Sequence, residues 1–120
     1  MQAMPTCARL MPIVLLAVLS AGTVQAGEDP VFVIEFANGA INPAVLDVPA
    51  GSRFKLELRN SGADPVEFES IELRKEKVLG PGVTSFIVIR RLDPGEYRFF
   101  DDFHPDTPPA RLVAREAGGQ

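Results

Sequence analysis

The sequence predicts an all-β protein, folded as a two-sheet antiparallel sandwich, and three observations predict it. Short runs of alternating or wholly apolar residues recur along the chain. Clusters of Pro and Gly separate them at regular spacing, and no stretch holds a helical apolar stripe for three turns. The spacing places strands at Val31–Phe36, Val45–Val48, Phe54–Asn60, Val66–Ser70, Glu72–Val78, Thr84–Ile89, Glu96–Phe100 and Arg111–Arg115. A chain of 120 residues is the length of one small domain, and there is no internal repeat, linker or low-complexity segment.

The first stretch stands outside this pattern. Met1–Arg9 carries a single positive charge, and the apolar run Leu10–Leu19 is too short to span a bilayer. Small residues follow it, and Val24-x-Ala26 fits the small-x-small rule for a secretory signal cleaved near Gly27. Residues 1–26 are therefore expected to be a signal peptide and residues 27–120 the mature, secreted domain. Cys7, Met1, Met4 and Met11 all lie in the leader, so the mature domain holds no sulfur. A disulfide, a thiol nucleophile, a lipidated Cys and any Cys-based zinc or iron–sulfur site are thereby excluded. Without Arg9 the mature chain has 11 basic and 16 acidic residues, a formal charge of −5, which argues against nucleic-acid and anionic-membrane partners.

Each strand has its own pattern. Phe54, Leu56 and Leu58 alternate with Lys55, Glu57 and Arg59, which predicts one buried and one exposed face. Phe86 and Val88 alternate with Ile87 and Ile89, apolar on both faces, which predicts a central strand covered on two sides. Pro49-Ala50-Gly51, Asn60-Ser61-Gly62, Gly80-Pro81-Gly82 and Asp93-Pro94-Gly95 combine φ-fixing Pro or φ-tolerant Gly with polar residues, and each predicts a chain reversal. Only Ala117–Gln120 reads as a loose tail.

Two acidic segments carry the candidate chemistry. By period two, Tyr97, Phe99 and Asp101 share one strand face, so an inward Phe99 puts Asp101 at the inward end of that row. A carboxylate there requires a cation, a metal or hydrogen-bond donors, because burying it alone is costly. Asp102, His104 and Asp106 follow in the same Pro-rich loop, where Pro105 restricts His104 to extended backbone. Imidazole and carboxylate are the non-sulfur donors for first-row metals, whereas a solvated connection is the plainer reading of such a loop. In the second segment Glu67 and Glu69 project from one strand face roughly 7 Å apart, as a cation bracket or as a solvent face with Arg74, Lys75 and Lys77 across the strand pair. No phosphate-cradling glycine loop, nucleophile elbow or triad spacing occurs.

The order Val48-Pro49-Ala50-Gly51, then Phe54–Asn60, a loop, and Leu92-Asp93-Pro94-Gly95-Glu96-Tyr97-Arg98-Phe99-Phe100 resembles the cupredoxin domain over nearly all of the mature chain. The resemblance implies a Greek-key sandwich. It aligns Asp101 with the family's copper-binding Cys, His104 with a ligand His found three residues later in some members, and Glu67 with the other ligand His, while Pro108-Pro109 stands where the axial Met would be. A blue-copper electron carrier, which needs a thiolate, is excluded by composition. The nearer resemblance is to small periplasmic cupredoxins associated with iron permeases, including the cupredoxin domain of the EfeO-type iron-uptake component, through Glu67-Phe68-Glu69 and Pro94-Gly95-Glu96-Tyr97.

That resemblance implies a periplasmic protein binding copper or iron through Glu67, Asp101 and His104, with Glu69, Asp102 and Asp106 as additional or supporting ligands. Anionic oxygen donors favour the ferric state, so such a site would assist ferrous iron oxidation or delivery to a membrane iron permease or a periplasmic iron-uptake protein. A metal chaperone fits equally. The alternative is a metal-free interaction module whose acidic loops dock on a periplasmic or membrane partner, in which case Asp101 pairs with Arg or backbone donors. A carbohydrate-binding sandwich is disfavoured, since Trp is absent and Tyr97 belongs to the core pattern.

Overall fold

The computed structural model describes residues 2–4, 22 and 27–117. The apolar run Leu10–Leu19 and the Val24-x-Ala26 motif, on which the expected signal peptide rests, and the last three residues of the tail lie outside the described residues. Among the described residues there are nine strands: β1 Val31–Ala37, β2 Ala40–Asn42, β3 Val45–Pro49, β4 Phe54–Asn60, β5 Val66–Ser70, β6 Lys75–Leu79, β7 Thr84–Ile89, β8 Gly95–Asp101 and β9 Ala110–Arg115. They make two sheets, in the orders β2-β1-β4-β7 and β3-β9-β8-β5-β6. Among the described residues no helix is long and apolar enough to cross a membrane.

The sandwich is as expected, but each sheet is mixed. β1 runs parallel to β4, and β3 runs parallel to β9, while the remaining pairs are antiparallel. All eight expected strands are present. β2 is the addition, a three-residue return from β1 through Asn38 and Gly39, whose positive φ values of 48° and 89° suit an Asn-Gly hairpin turn. β6 starts at Lys75 rather than Glu72, because Ile71–Arg74 are consumed by the turn that reverses the chain.

The core lies between the sheets. Ile34, Phe36, Phe54, Leu56, Leu58, Val66, Phe68, Phe99 and Leu112 are all fully buried, so the alternation in β4 and β8 places its apolar row inward as expected. Phe68 stands at the centre, stacked on Phe99 at 5.3 Å and edge-on to Phe36 at 6.4 Å. β7 corrects the sequence reading. It is an edge strand beside β4, not a central one, and Phe86 is 49% exposed. Two apolar faces in one short run do not distinguish a covered strand from an edge strand with an apolar outer face. The strands and core residues among the described residues all fall within residues 31–115, so the chain from Gly27 contains all of them.

Candidate metal site at one end of the sandwich

Three connections meet at the end of the sandwich where β5 begins and β8 finishes: the β1–β2 turn, the β4–β5 loop and the β8–β9 loop. Asn60, 2% exposed, closes β4 and pins two of the neighbouring segments. Its Nδ2 donates to the carbonyls of Asp64 at 2.8 Å, Leu79 at 3.2 Å and Gly80 at 3.1 Å, and its Oδ1 accepts the Gly62 N–H at 3.0 Å. The Asn38 Oδ1 accepts the Ala63 N–H at 2.9 Å. Gly62 lies so close to this turn that a Cβ would sit 2.6 Å from the Asn38 nitrogen, so no side chain fits.

Asp101 is the hub of this end. It closes β8 opposite Phe68 and is 1% exposed, at the inward end of the Tyr97–Phe99–Asp101 row as the period predicted. The partners that a buried carboxylate requires are backbone and imidazole donors. Oδ1 accepts the N–H of Glu67 at 3.0 Å and of Phe103 at 3.1 Å, and Oδ2 lies 2.7 Å from His104 Nδ1. The His104 N–H also donates to the Asp101 carbonyl at 3.0 Å, which curls the loop back over β8.

His104 turns its other nitrogen, Nε2, toward the Asp64 carboxylate at 3.6 Å, and its ring lies against Gly39, where a Cβ would come within 3.3 Å of Cδ2. Its pKa is raised above the ordinary 6.5, chiefly by the hydrogen bond to Asp101, against the opposing effect of desolvation and with further help from Asp64. A raised imidazole contributes stability that is fully present below the unfolded value and is lost as pH rises through the native one. We therefore expect the urea midpoint to fall between about pH 6 and pH 9, and to fall less in His104→Gln. Equal slopes in the two proteins would show that the pair contributes nothing.

The third group is the carboxylate cluster. Glu67 and Glu69 share the outer face of β5, alternating with buried Val66, Phe68 and Ser70. The Asp102 N–H donates to the Glu67 carbonyl at 3.0 Å, which carries the β5–β8 ladder one residue past the strand and brings Asp102 to the same face. Glu67, Glu69 and Asp102 each offer one oxygen atom, and these lie within 4.8 Å of one another. No ion pair reaches any of them among the described residues. Of the cations considered for this face, Lys75 and Lys77 pair in register with Ser70 and Phe68, the alternate positions, while Glu69 faces Glu76; Arg74 and Lys75 share a groove with Glu69 and Glu76 but form no ion pair with them among the described residues. The Glu67 carboxyl is accordingly raised above its ordinary 4.5, first by desolvation and then by Asp102, Glu69, Glu76 and Asp101.

The six residues singled out in the sequence thus fall into distinct groups. Glu67, Glu69 and Asp102 converge at the surface, and Asp101 and His104 form a pair beneath the loop. Asp106 is exposed and joins neither group among the described residues. Asp64, the second neighbour of His104, was not singled out, since it lies in an aperiodic loop whose sequence says nothing of where it folds back. Chemically, three unneutralised oxygen donors suit a hard or borderline divalent cation. The described donors do not suit copper held by thiolate, because the only Cys precedes residue 27.

Comparison with known proteins places the fold in a class. The model of the cupredoxin-like domain matches residues 9–114, and the chain belongs to that family. A curated relative, the uncharacterized protein RP394 of Rickettsia prowazekii, is 32% identical over 74 residues, covering 62% of this chain and 59% of that protein. The chain thus aligns with about three-fifths of that relative's length. Among solved structures, reduced auracyanin from Roseiflexus castenholzii matches with a TM-score of 0.61 at 16% identity, covering 74% of this chain and 99% of that one. The metal-binding domain of the Streptococcus pneumoniae Cu(I)-exporting ATPase CopA, solved with Cu(I), matches at 0.63 and 14%, covering 72% and 85%. Auracyanin A of Chloroflexus aurantiacus, a blue copper protein, matches at 0.62 and 12%, covering 73% and 100%. At these identities the likeness is one of fold alone, that of a cupredoxin-like sandwich.

Proposed function

We propose that this protein is a secreted, periplasmic cupredoxin-like metal carrier, with residues 1–26 as its signal peptide, that binds iron or copper at Glu67, Glu69 and Asp102. The observation that carries this reading is the convergence of three carboxylate oxygens within 4.8 Å, with no ion pair to any of them among the described residues. Like charges brought this close repel one another, and a divalent ion relieves that repulsion while taking up the free lone pairs. Asp101 and His104 act as the frame. They fix the loop that supplies Asp102 and hold the Glu67 backbone, so they govern the ligands without being the main donors.

All-oxygen ligation stabilises Fe(III) relative to Fe(II), which fits a part in ferrous iron oxidation, with dioxygen or bound Cu(II) as oxidant, and in passing iron to a membrane permease or a periplasmic iron-uptake protein. The Glu67-Phe68-Glu69 and Pro94-Gly95-Glu96-Tyr97 resemblance to iron-permease cupredoxins supports that assignment. A metal-free docking module is the second reading, and it draws on the saturation of Asp101 by backbone donors and His104. The two separate in an aerobic assay of ferrous iron loss with the chain from Gly27. The metal reading expects an altered oxidation rate for the wild type and the protein-free rate for Glu67→Gln with Asp102→Asn. The protein-free rate for both would favour docking.

A further inference from the structure

We infer that the open edge of β7 is a homodimerisation surface, on which β7 of a second copy adds antiparallel across a twofold axis and joins the two four-stranded sheets into one. A row of unpaired backbone groups along a sheet edge invites another strand unless the edge is short, charged or interrupted by Pro. Three of the four edges here carry such a safeguard. β2 has three residues and is followed by Pro43, β3 contains Asp47 and ends in Pro49, and β6 begins Lys75-Glu76-Lys77. β7 has none. It reads Thr84-Ser85-Phe86-Ile87-Val88-Ile89, without charge or Pro, and Phe86 is 49% exposed.

The ladder fixes which backbone groups point outward. Just before β7 a bulge sets Gly82, at a φ of 75°, and Val83 together against Asn60: the Asn60 carbonyl accepts the Gly82 N–H at 2.9 Å, and the Asn60 N–H donates to the Val83 carbonyl at 2.9 Å. Hydrogen-bonded pairs alternate from there along the β4–β7 register. Ser85, Ile87 and Ile89 therefore bond to β4, while Thr84, Phe86 and Val88 turn their N–H and C=O groups to the open side. The Lys55 N–H agrees with this count, since it donates to the Pro30 carbonyl on the β1 side and not to Val88 opposite. Among the described residues no strand pairs with the open side of β7, and no turn, loop or side-chain hydrogen bond reaches Thr84, Phe86 or Val88.

Self-complementarity singles out a second copy as the occupant. With Phe86 set opposite Phe86 of the second copy, Thr84 stands opposite Val88 of the second copy, so every outward-turned residue exchanges its N–H and C=O with a partner. Phe86 gains an aromatic cross-strand neighbour on the same face. No charged pair crosses the seam, because Arg90 falls opposite Gly82 of the second copy, so the formal charge of −5 for the chain from Gly27 does not oppose the pairing there. The twofold covers the unguarded edge of both copies at once and closes, leaving only guarded edges. The carboxylate cluster lies on the other sheet, so the inference stands whether or not that cluster holds a metal.

Sedimentation velocity of the chain from Gly27 tests this. A seam of one strand is a small interface, so the wild type is expected to be dimeric at roughly 300 µM and monomeric near about 1 µM. Val88→Pro removes an outward N–H without touching a bond to β4, and Phe86→Lys replaces the aromatic pair with two like charges. Each should weaken association by about tenfold or more. Val78→Lys, on the exposed edge strand β6, should leave it unchanged. Amide exchange needs no substitution: the Phe86 and Val88 N–H groups should be protected at the higher concentration and exchange freely at the lower, while those of Ser85 and Ile87 stay protected at both. A wild type that stays monomeric at the higher concentration would overturn the inference. So would a dimer that leaves the Phe86 and Val88 amides unprotected, a dimer as strong in both β7 variants as in the wild type, or a loss in Val78→Lys equal to theirs.

Discussion

Replacing Asp101 with Ala is expected to destabilise the domain by about 3–5 kcal/mol, measured as a lower urea midpoint at unchanged slope. The carboxylate is 1% exposed and serves three donors: the N–H groups of Glu67 and Phe103 and the His104 ring. Truncation strands two backbone donors from different segments and removes the anion beside an imidazole whose protonated form it stabilises. Asp101→Asn is the finer probe. It retains an oxygen for the two N–H groups but loses the charge-assisted bond, so a loss of about 1.5–3 kcal/mol is expected. If Asp101→Ala costs less than about 1 kcal/mol, the hub role of this residue fails.

The second large effect is expected from Phe68→Ala, at about 3–5 kcal/mol. Phe68 is fully buried, stacked on Phe99 and edge-on to Phe36, and so joins the two sheets at the centre of the core. In a domain of this size that loss should lower the melting temperature by roughly 4–8 °C per kcal/mol. A consequence for the site follows from the alternation of β5. Glu67 and Glu69 flank Phe68 on the opposite face, so a cavity beneath them loosens the spacing of their carboxylates. Metal affinity should therefore fall in Phe68→Ala even though no ligand is changed. Phe86→Ala, on the exposed face of β7, supplies the contrast and should stay within about 0.5 kcal/mol of wild type.

Most of the fold was legible because β periodicity and turn chemistry agree along the chain. Phe54-x-Leu56-x-Leu58 and Tyr97-x-Phe99-x-Asp101 both place their rows inward as the alternation requires. Legibility stopped where position in a sheet matters. Nothing in Phe86-Ile87-Val88-Ile89 says whether a neighbour covers the outer face, and no local signal marks the parallel pairing of β1 with β4 or of β3 with β9. At the site, the sequence put Asp101 at a buried strand end and Glu67 and Glu69 on one face. It did not reveal that backbone N–H groups from Glu67 and Phe103 would occupy Asp101, because those contacts depend on how a loop folds back. Asp64 escaped for the same reason. Asp102 was named beside Asp101, but its place with the glutamates follows from a ladder bond one residue beyond the end of β8.

The central claim is that the surface carboxylates, framed by Asp101 and His104, hold a metal ion. Anaerobic calorimetric titration of the chain from Gly27 with Cu(II), Fe(II), Mn(II) and Zn(II) tests it most directly, repeated on Glu67→Gln, Asp102→Asn and His104→Ala. The account predicts binding to at least one ion, weakened about 10–100-fold in Glu67→Gln and Asp102→Asn and less in His104→Ala. No binding by the wild type would contradict it, and so would affinity unchanged in both carboxylate variants but abolished in His104→Ala.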